Sequence, residues 1–136
     1  MKRTFITAAL AALVVAATAL AGSPTVRVTI RHQVQHCHSW SVNGNAYKAA
    51  QRVTLTRGGS IVFQNNDLMP HKLVQVSGPR LALSRAANMN KMSATFKLSF
   101  AKAGVYKFKT VAGEDYTKGV MTTGEDNVLT LTVTVS

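Results

Sequence analysis

From Thr25 to its last residue, this 136-residue chain repeats one pattern: short runs in which apolar and polar side chains alternate singly, each closed by a turn signal. Successive side chains of a strand point to opposite faces, so a period of two commits these runs to strands with one face buried. TVRVTI sets Val26, Val28 and Ile30 against Arg27, Thr29 and Arg31. In RVTLTRGGSIVFQNN, Val53 and Leu55 alternate with threonines, Gly58-Gly59 turns and Ile61-Val62-Phe63 returns, the outline of a hairpin. HKLVQV follows, then TFKLSF with Phe96, Leu98 and Phe100 on one face. Ala103-Gly104 turns the chain into VYKFKT, and NVLTLTVTVS closes with Leu129, Leu131, Val133 and Val135 inward. About seven short strands separated by turns predict an all-β sandwich. Threonine fills many outward positions, as half-buried sheets favour. Only residues 81–92, LALSRAANMNKM, leave room for a helical turn. No repeat, low-complexity tract or linker interrupts residues 22–136, which read as one domain.

The N-terminus carries a different grammar. Lys2-Arg3, then the uncharged run FITAALAALVVAATAL, then Ala19-Leu20-Ala21 is the order of a secretory signal peptide: basic, apolar, small. The run is short for a bilayer span and ends in residues suited to a peptidase. The expectation is a signal peptide over residues 1–21, cleaved after Ala21. What remains is secreted or periplasmic, in the cell envelope, with no membrane span and no lipid anchor. Sixteen Lys and Arg against five Asp and Glu give a net charge of +11. The cations are spread along the strands and not interleaved with aromatics, so nucleic acid is not the expected partner. Their field favours encounter with an acidic redox partner protein or an anionic cell surface. The expected state is a monomer.

The only cysteine, Cys37, stands in His36-Cys37-His38-Ser39-Trp40, beside the only tryptophan. A lone thiol in an oxidising compartment cannot close an internal disulfide. It is buried and inert, bridged to another chain, or bound to metal. The flanking histidines favour metal. In an extended segment His36 and His38 face one way and Cys37 the other, so Cys37 and His38 can share an ion only where the backbone is irregular. The Asn43-Gly44 turn signal allows that.

The order of the pieces resembles a known family. QRVTLTRGGSIVFQNNDLMPHKLV is similar to the cupredoxin pattern of strand, glycine turn and second strand ending in Asn-Asn-Asp, followed by a loop with Pro-His. ATFKLSFAKAGVYKFKT resembles a later hairpin of that fold, and with the last strand the resemblance covers most of residues 25–136. It implies a Greek-key β-sandwich that binds copper, many members being electron carriers, and it implies that His71 is the first histidine ligand. The sequence then departs from the family. Thr110 stands where the family's cysteine would be, and the following loop, VAGEDYTKGVM, contains no histidine. The usual Cys-His-Met loop is absent, so either metal binding is lost or the ligands have moved. In such a fold the connection bearing HCHSW lies at the same pole as MPH, and so do Met89, Met92 and the Glu114-Asp115 loop.

The candidate metal ligands are therefore Cys37, His38, His71, Met69, His36, Met89 and Met92, for one copper ion. Thiolate and thioether are soft donors that suit copper, and imidazole accepts either oxidation state. Zinc would take the cysteine and histidines but has little use for methionines. His38 is favoured over His36 because it lies nearer Trp40, which would shield the site. Met69, Met89 and Met92 also serve as packing residues. His32 reads as solvated beside the strand, and Glu114 and Asp115 as turn residues or site neighbours. No Ser-His-Asp, HExxH or phosphate-cradling motif outlines an enzyme. Three functions stand: a secreted copper-binding electron carrier with a site rearranged onto the HCH and MPH loops, a Cu(I) chaperone or sequestration protein, and a metal-free cupredoxin-like binding module.

Overall fold

The computed structural model describes residues 23–32, 38–84, 87–112 and 128–136. Its strands are β1 (Thr25–His32), β2 (His38–Val42), β3 (Ala50–Leu55), β4 (Ser60–Asn66), β5 (His71–Ser77), β6 (Asn88–Met89), β7 (Thr95–Ser99), β8 (Gly104–Ala112) and β9 (Thr130–Val135). They form a four-stranded sheet of order β2-β1-β4-β7 and a five-stranded sheet of order β3-β9-β8-β5-β6. This is the all-β sandwich that the alternation predicts, in the cupredoxin-like Greek-key form that the resemblance implies. Two short strands add to the expected set: β2, which the sequence reading left as loop, and the two-residue β6. No helix among the described residues is long and apolar enough to cross a membrane.

Alternation fills the space between the sheets. Val28, Ile30, Trp40, Ile61, Phe63, Phe96 and Leu98 from one sheet meet Val53, Leu55, Leu73, Tyr106, Phe108, Leu131, Val133 and Val135 from the other in a single buried cluster. Phe100, which follows β7, packs edge-on against the Tyr106 ring at 5.0 Å and the Phe108 ring at 6.2 Å. Truncating one such aromatic to alanine typically costs about 3–5 kcal/mol. Tyr106 also has a polar task, since its hydroxyl donates to the Lys102 carbonyl at 2.6 Å and pins the entry to β8. The indole Nε1–H of Trp40 donates to the Ala49 carbonyl at 3.1 Å, so the largest core side chain is both buried and satisfied.

The expected hairpin through Gly58-Gly59 is instead an arch between sheets. β3 pairs in parallel with β9, and β4 pairs in parallel with β1. The turn amides explain the crossing. Arg57 N–H donates to the Ser136 carbonyl beyond β9, whereas Gly58 N–H donates to the Phe100 carbonyl and the Gly59 carbonyl accepts from Phe100 N–H. The turn is thus stitched to both sheets at once, and Leu55 and Ile61 reach the core from opposite sides. The turn before β8 behaves likewise, with β7 and β8 in different sheets. By contrast β1 and β2 are antiparallel neighbours. Asn43 and Gly44, both at positive φ (51° and 78°), then turn the chain out of β2, with Asn45 N–H bonded to the Val42 carbonyl.

Gly78 follows β5 at φ 102°, where a Cβ would collide with the Val105 carbonyl oxygen. Gly44 has positive φ but open space around it. Gly78→Ala is expected to lower the unfolding free energy by about 2–3 kcal/mol through overpacking, and Gly44→Ala by only about 1 kcal/mol of backbone strain. Urea midpoints of the two variants check this. Equal losses would mean that backbone strain alone sets the cost.

Candidate metal centre

At one end of the sandwich the inward-facing rows change chemistry without changing period. Val28 and Ile30 continue to His32 in β1, and Val42 and Trp40 continue to His38 in β2. Phe63 continues to Asn65 in β4 and to Asp67 beyond it, and Leu73 is preceded by His71 in β5. Register brings the rows together: His32 opposes His38, and Ile30 lies between Trp40 and Asn65. Core geometry has therefore been used to hold a polar cluster.

Its centre is Asp67, whose side chain is fully buried. Oδ2 accepts from His38 Nδ1–H at 2.7 Å and from His71 Nε2–H at 3.0 Å. Oδ1 accepts from the Met69 amide at 3.1 Å, and half-exposed His32 places Nδ1 3.9 Å from the same oxygen. His38 and His71 are each buried, with ring centroids 4.6 Å apart and planes at 85°. Burial by itself raises the Asp67 pKa. The hydrogen bonds from His38 and His71, the Met69 amide and the charge interaction with His71 outweigh it and hold the carboxyl well below the usual carboxylate range.

Asn65 sets the turn that carries Asp67. Its Oδ1 accepts from the Asp67 amide at 2.9 Å, and its Nδ2 donates to the carbonyls of Met69 (2.8 Å) and Met89 (2.9 Å). Its backbone is tied to Ser93 and Ala94. One buried amide thereby joins the Asp67 turn, the start of β5 and β6.

The hydrogen bonds fix the ring tautomers. A carboxylate oxygen only accepts, so His38 carries hydrogen on Nδ1 and His71 on Nε2. In the neutral rings the lone pairs then lie on His38 Nε2 and His71 Nδ1. His71 Nδ1 is buried and makes no hydrogen bond among the described residues. An Asp–His pair of this kind, with the second ring nitrogen aimed away from the carboxylate, is the usual support of a metal-ligating histidine. The buried Asp67 carboxylate is the one acidic side chain at this pole among the described residues, which favours a cation there. His32, His38 and Asp67 also place one ligand atom each within 4.8 Å of one another.

Of the sequence candidates, the structure brings His38 and His71 together. His36 and Cys37 lie outside the described residues, as do Glu114 and Asp115. Met89 is buried and opposes His71 in the β5–β6 ladder. Met69 is half-buried and engaged through its backbone. Met92 is about half exposed, and Met89 lies in a strand and not in the helical turn for which residues 81–92 leave room. Sequence reasoning missed Asp67 and Asn65 and set His32 aside as solvated. The signal was present in the period: Ile61, Phe63, Asn65 and Asp67 form one alternating row.

The class defined by this architecture is the cupredoxin-like β-sandwich. No family model matches the chain and no curated relative matches it. Similar solved structures include a purple cupredoxin from Nitrosopumilus maritimus, 18% identical, covering 81% of this chain and 98% of that one, TM-score 0.47. A reduced amicyanin mutant is also 18% identical, covering 88% of each chain, TM-score 0.45. The cysteine protease inhibitor EhICP2 from Entamoeba histolytica is 11% identical, covering 81% of this chain and 95% of that one, TM-score 0.42.

Asp67→Asn puts an amide NH₂ where a donor already points, whichever way the side chain is turned. In the metal-free protein it is expected to cost about 1–3 kcal/mol at pH 7, the cost of an unsatisfied buried donor. A depressed folded pKa makes the aspartate's contribution complete above its unfolded pKa of about 3.9 and lost as pH falls towards the folded value. Urea unfolding from pH 7 to pH 2 should show the wild-type advantage shrinking only below about pH 4. An advantage unchanged into acid would show that the carboxylate's charge is not what stabilises the pole.

Proposed function

We propose that this chain is an exported copper-binding electron carrier, with one copper held by His71, His38 and the Cys37 thiolate. The observation that carries the reading is His71 Nδ1: a buried lone pair without a hydrogen-bond partner among the described residues, on a ring whose other nitrogen is held by Asp67. His71 is also the position at which the cupredoxin resemblance implies the first histidine ligand. Cys37 precedes His38 directly in the chain and supplies the thiolate that the Thr110 position lacks. Met89, buried opposite His71, is the thioether candidate in preference to exposed Met92.

The bound copper would supply a one-electron couple, and a thiolate-imidazole donor set suits either oxidation state. The protein's task is to keep the donors from moving when that charge changes. Asp67 does this by holding both imidazoles on a single oxygen, while Asn65 fixes the turn beneath it. Trp40, fully buried two residues along the same face from His38, closes the floor against water. Removal of residues 1–21 after Ala21 belongs to the same proposal and places residues 22–136 in the periplasm or outside the cell.

The test is Cu(II) titration of the reduced protein lacking residues 1–21, followed by visible absorption. One equivalent is expected to give an intense thiolate-to-copper band, which Cys37→Ser abolishes and His71→Ala weakens or shifts. Asp67→Asn should lower copper affinity about 10- to 100-fold while keeping the band at saturating copper, as loss of a ring-orienting partner does. A wild-type protein that binds copper without the band overturns the thiolate assignment. One that binds no copper overturns the proposal.

A further inference from the structure

Charge is distributed unevenly between the two faces of the sandwich. Among the described residues the only carboxylate side chain is Asp67, and it is buried. Among the described residues the outer surface therefore carries cations and no carboxylate side chain, but those cations are not equally available. On the four-stranded sheet, the Arg27 guanidinium donates to Gln64 Oε1 at 2.8 Å and Arg31 lies over the Tyr47 ring at 5.7 Å, which leaves exposed Lys97 of β7 as the cation there that makes no ion pair or side-chain hydrogen bond among the described residues. On the five-stranded sheet, Arg52, Lys107 and Lys109 are exposed and make no ion pair or side-chain hydrogen bond among the described residues.

Register places these three on one outward plane. Arg52 of β3 opposes Thr132 of β9, which opposes Lys107 of β8, and Thr130 opposes Lys109. Strand spacing puts the Arg52 and Lys107 backbones roughly 10 Å apart, and Lys107 and Lys109 roughly 7 Å apart. Beside them a groove of about 410 Å³ is lined by Lys48, Ala50, Gln51, Arg52, Thr130 and Thr132. Ammonium, guanidinium and hydroxyl donors thus line a shallow track across the strands, with no carboxylate among them. The outward face of β8 and β9 carries lysine, threonine and valine and no aromatic ring, so it offers no platform for stacked bases.

We infer that this face binds a linear phosphate-bearing polymer, reading closely spaced oxyanions and not bases. The occupant follows from charge complementarity: three exposed cations at roughly 7–10 Å spacing, with no carboxylate beside them among the described residues, match a chain of repeated anions better than a single ion. The track is separate from the metal pole. Lys109 opposes Val74, three residues along β5 from His71, and points outward while His71 points in. The inference stands whether or not the pole holds metal.

The probe is linear inorganic polyphosphate, with binding to the protein lacking residues 1–21 followed by anisotropy over a range of salt concentrations. The triple variant Arg52→Gln, Lys107→Gln, Lys109→Gln is expected to lose at least tenfold in affinity. Its log-affinity against log-salt slope should fall by about 2–3, near one unit for each lost phosphate contact. The control Arg27→Gln, Arg57→Gln, Lys97→Gln removes the same charge elsewhere and should stay within about threefold of wild type, a loss smaller than one good charge-assisted contact. Equal losses in the two triple variants overturn the inference, because diffuse net charge would then account for binding. Tighter binding of a single-stranded oligonucleotide of equal charge also overturns it, because bases would then be read. Circular dichroism and urea midpoints establish that both variants are folded.

Discussion

A single buried oxygen, Asp67 Oδ2, organises one end of this protein. Taking a carboxylate out of water is costly, and it persists only where donors replace the lost hydration. Here the donors are two imidazoles from different sheets and an amide from the aspartate's own turn. Because His38 belongs to the four-stranded sheet and His71 to the five-stranded sheet, the carboxylate also couples the layers where the apolar core ends. The same contacts dictate which ring nitrogens keep their lone pairs. Fold closure and imidazole orientation are thus one arrangement seen from two sides.

The strands were legible because alternation survives without knowledge of partners. Val26 to Ile30, Phe96 to Phe100 and Leu129 to Val135 each declare an inner face. What alternation does not encode is which strand lies beside which. The Gly58-Gly59 turn has the composition of a hairpin, yet its amides bond to residues near Phe100 and Ser136, far away in the chain. Local sequence specifies a reversal; long-range pairing decides that it is an arch.

The buried polar pole was legible in part for a related reason. His71 was found through its place in a motif, and His38 through its proximity to the lone thiol. Asp67 was passed over because an Asn-Asn-Asp stretch reads as turn chemistry. Only the parity of the row Phe63, Asn65, Asp67 shows that two of these polar residues point inward. A polar residue on the inward parity of a strand is a stronger site signal than the same residue in a loop. Burial there demands a partner.

The pairing of β3 with β9 governs how the fold can be assembled. Val53 finds its neighbour in Val133, and Leu55 in Val135, three residues or fewer from the end of the sequence. Until those last residues are free to join, β3 has no lateral neighbour in its sheet and the five-stranded layer stays incomplete. Contacts this distant in sequence are slow to form. The five-stranded layer therefore closes only when the β9 segment reaches back across the chain to β3.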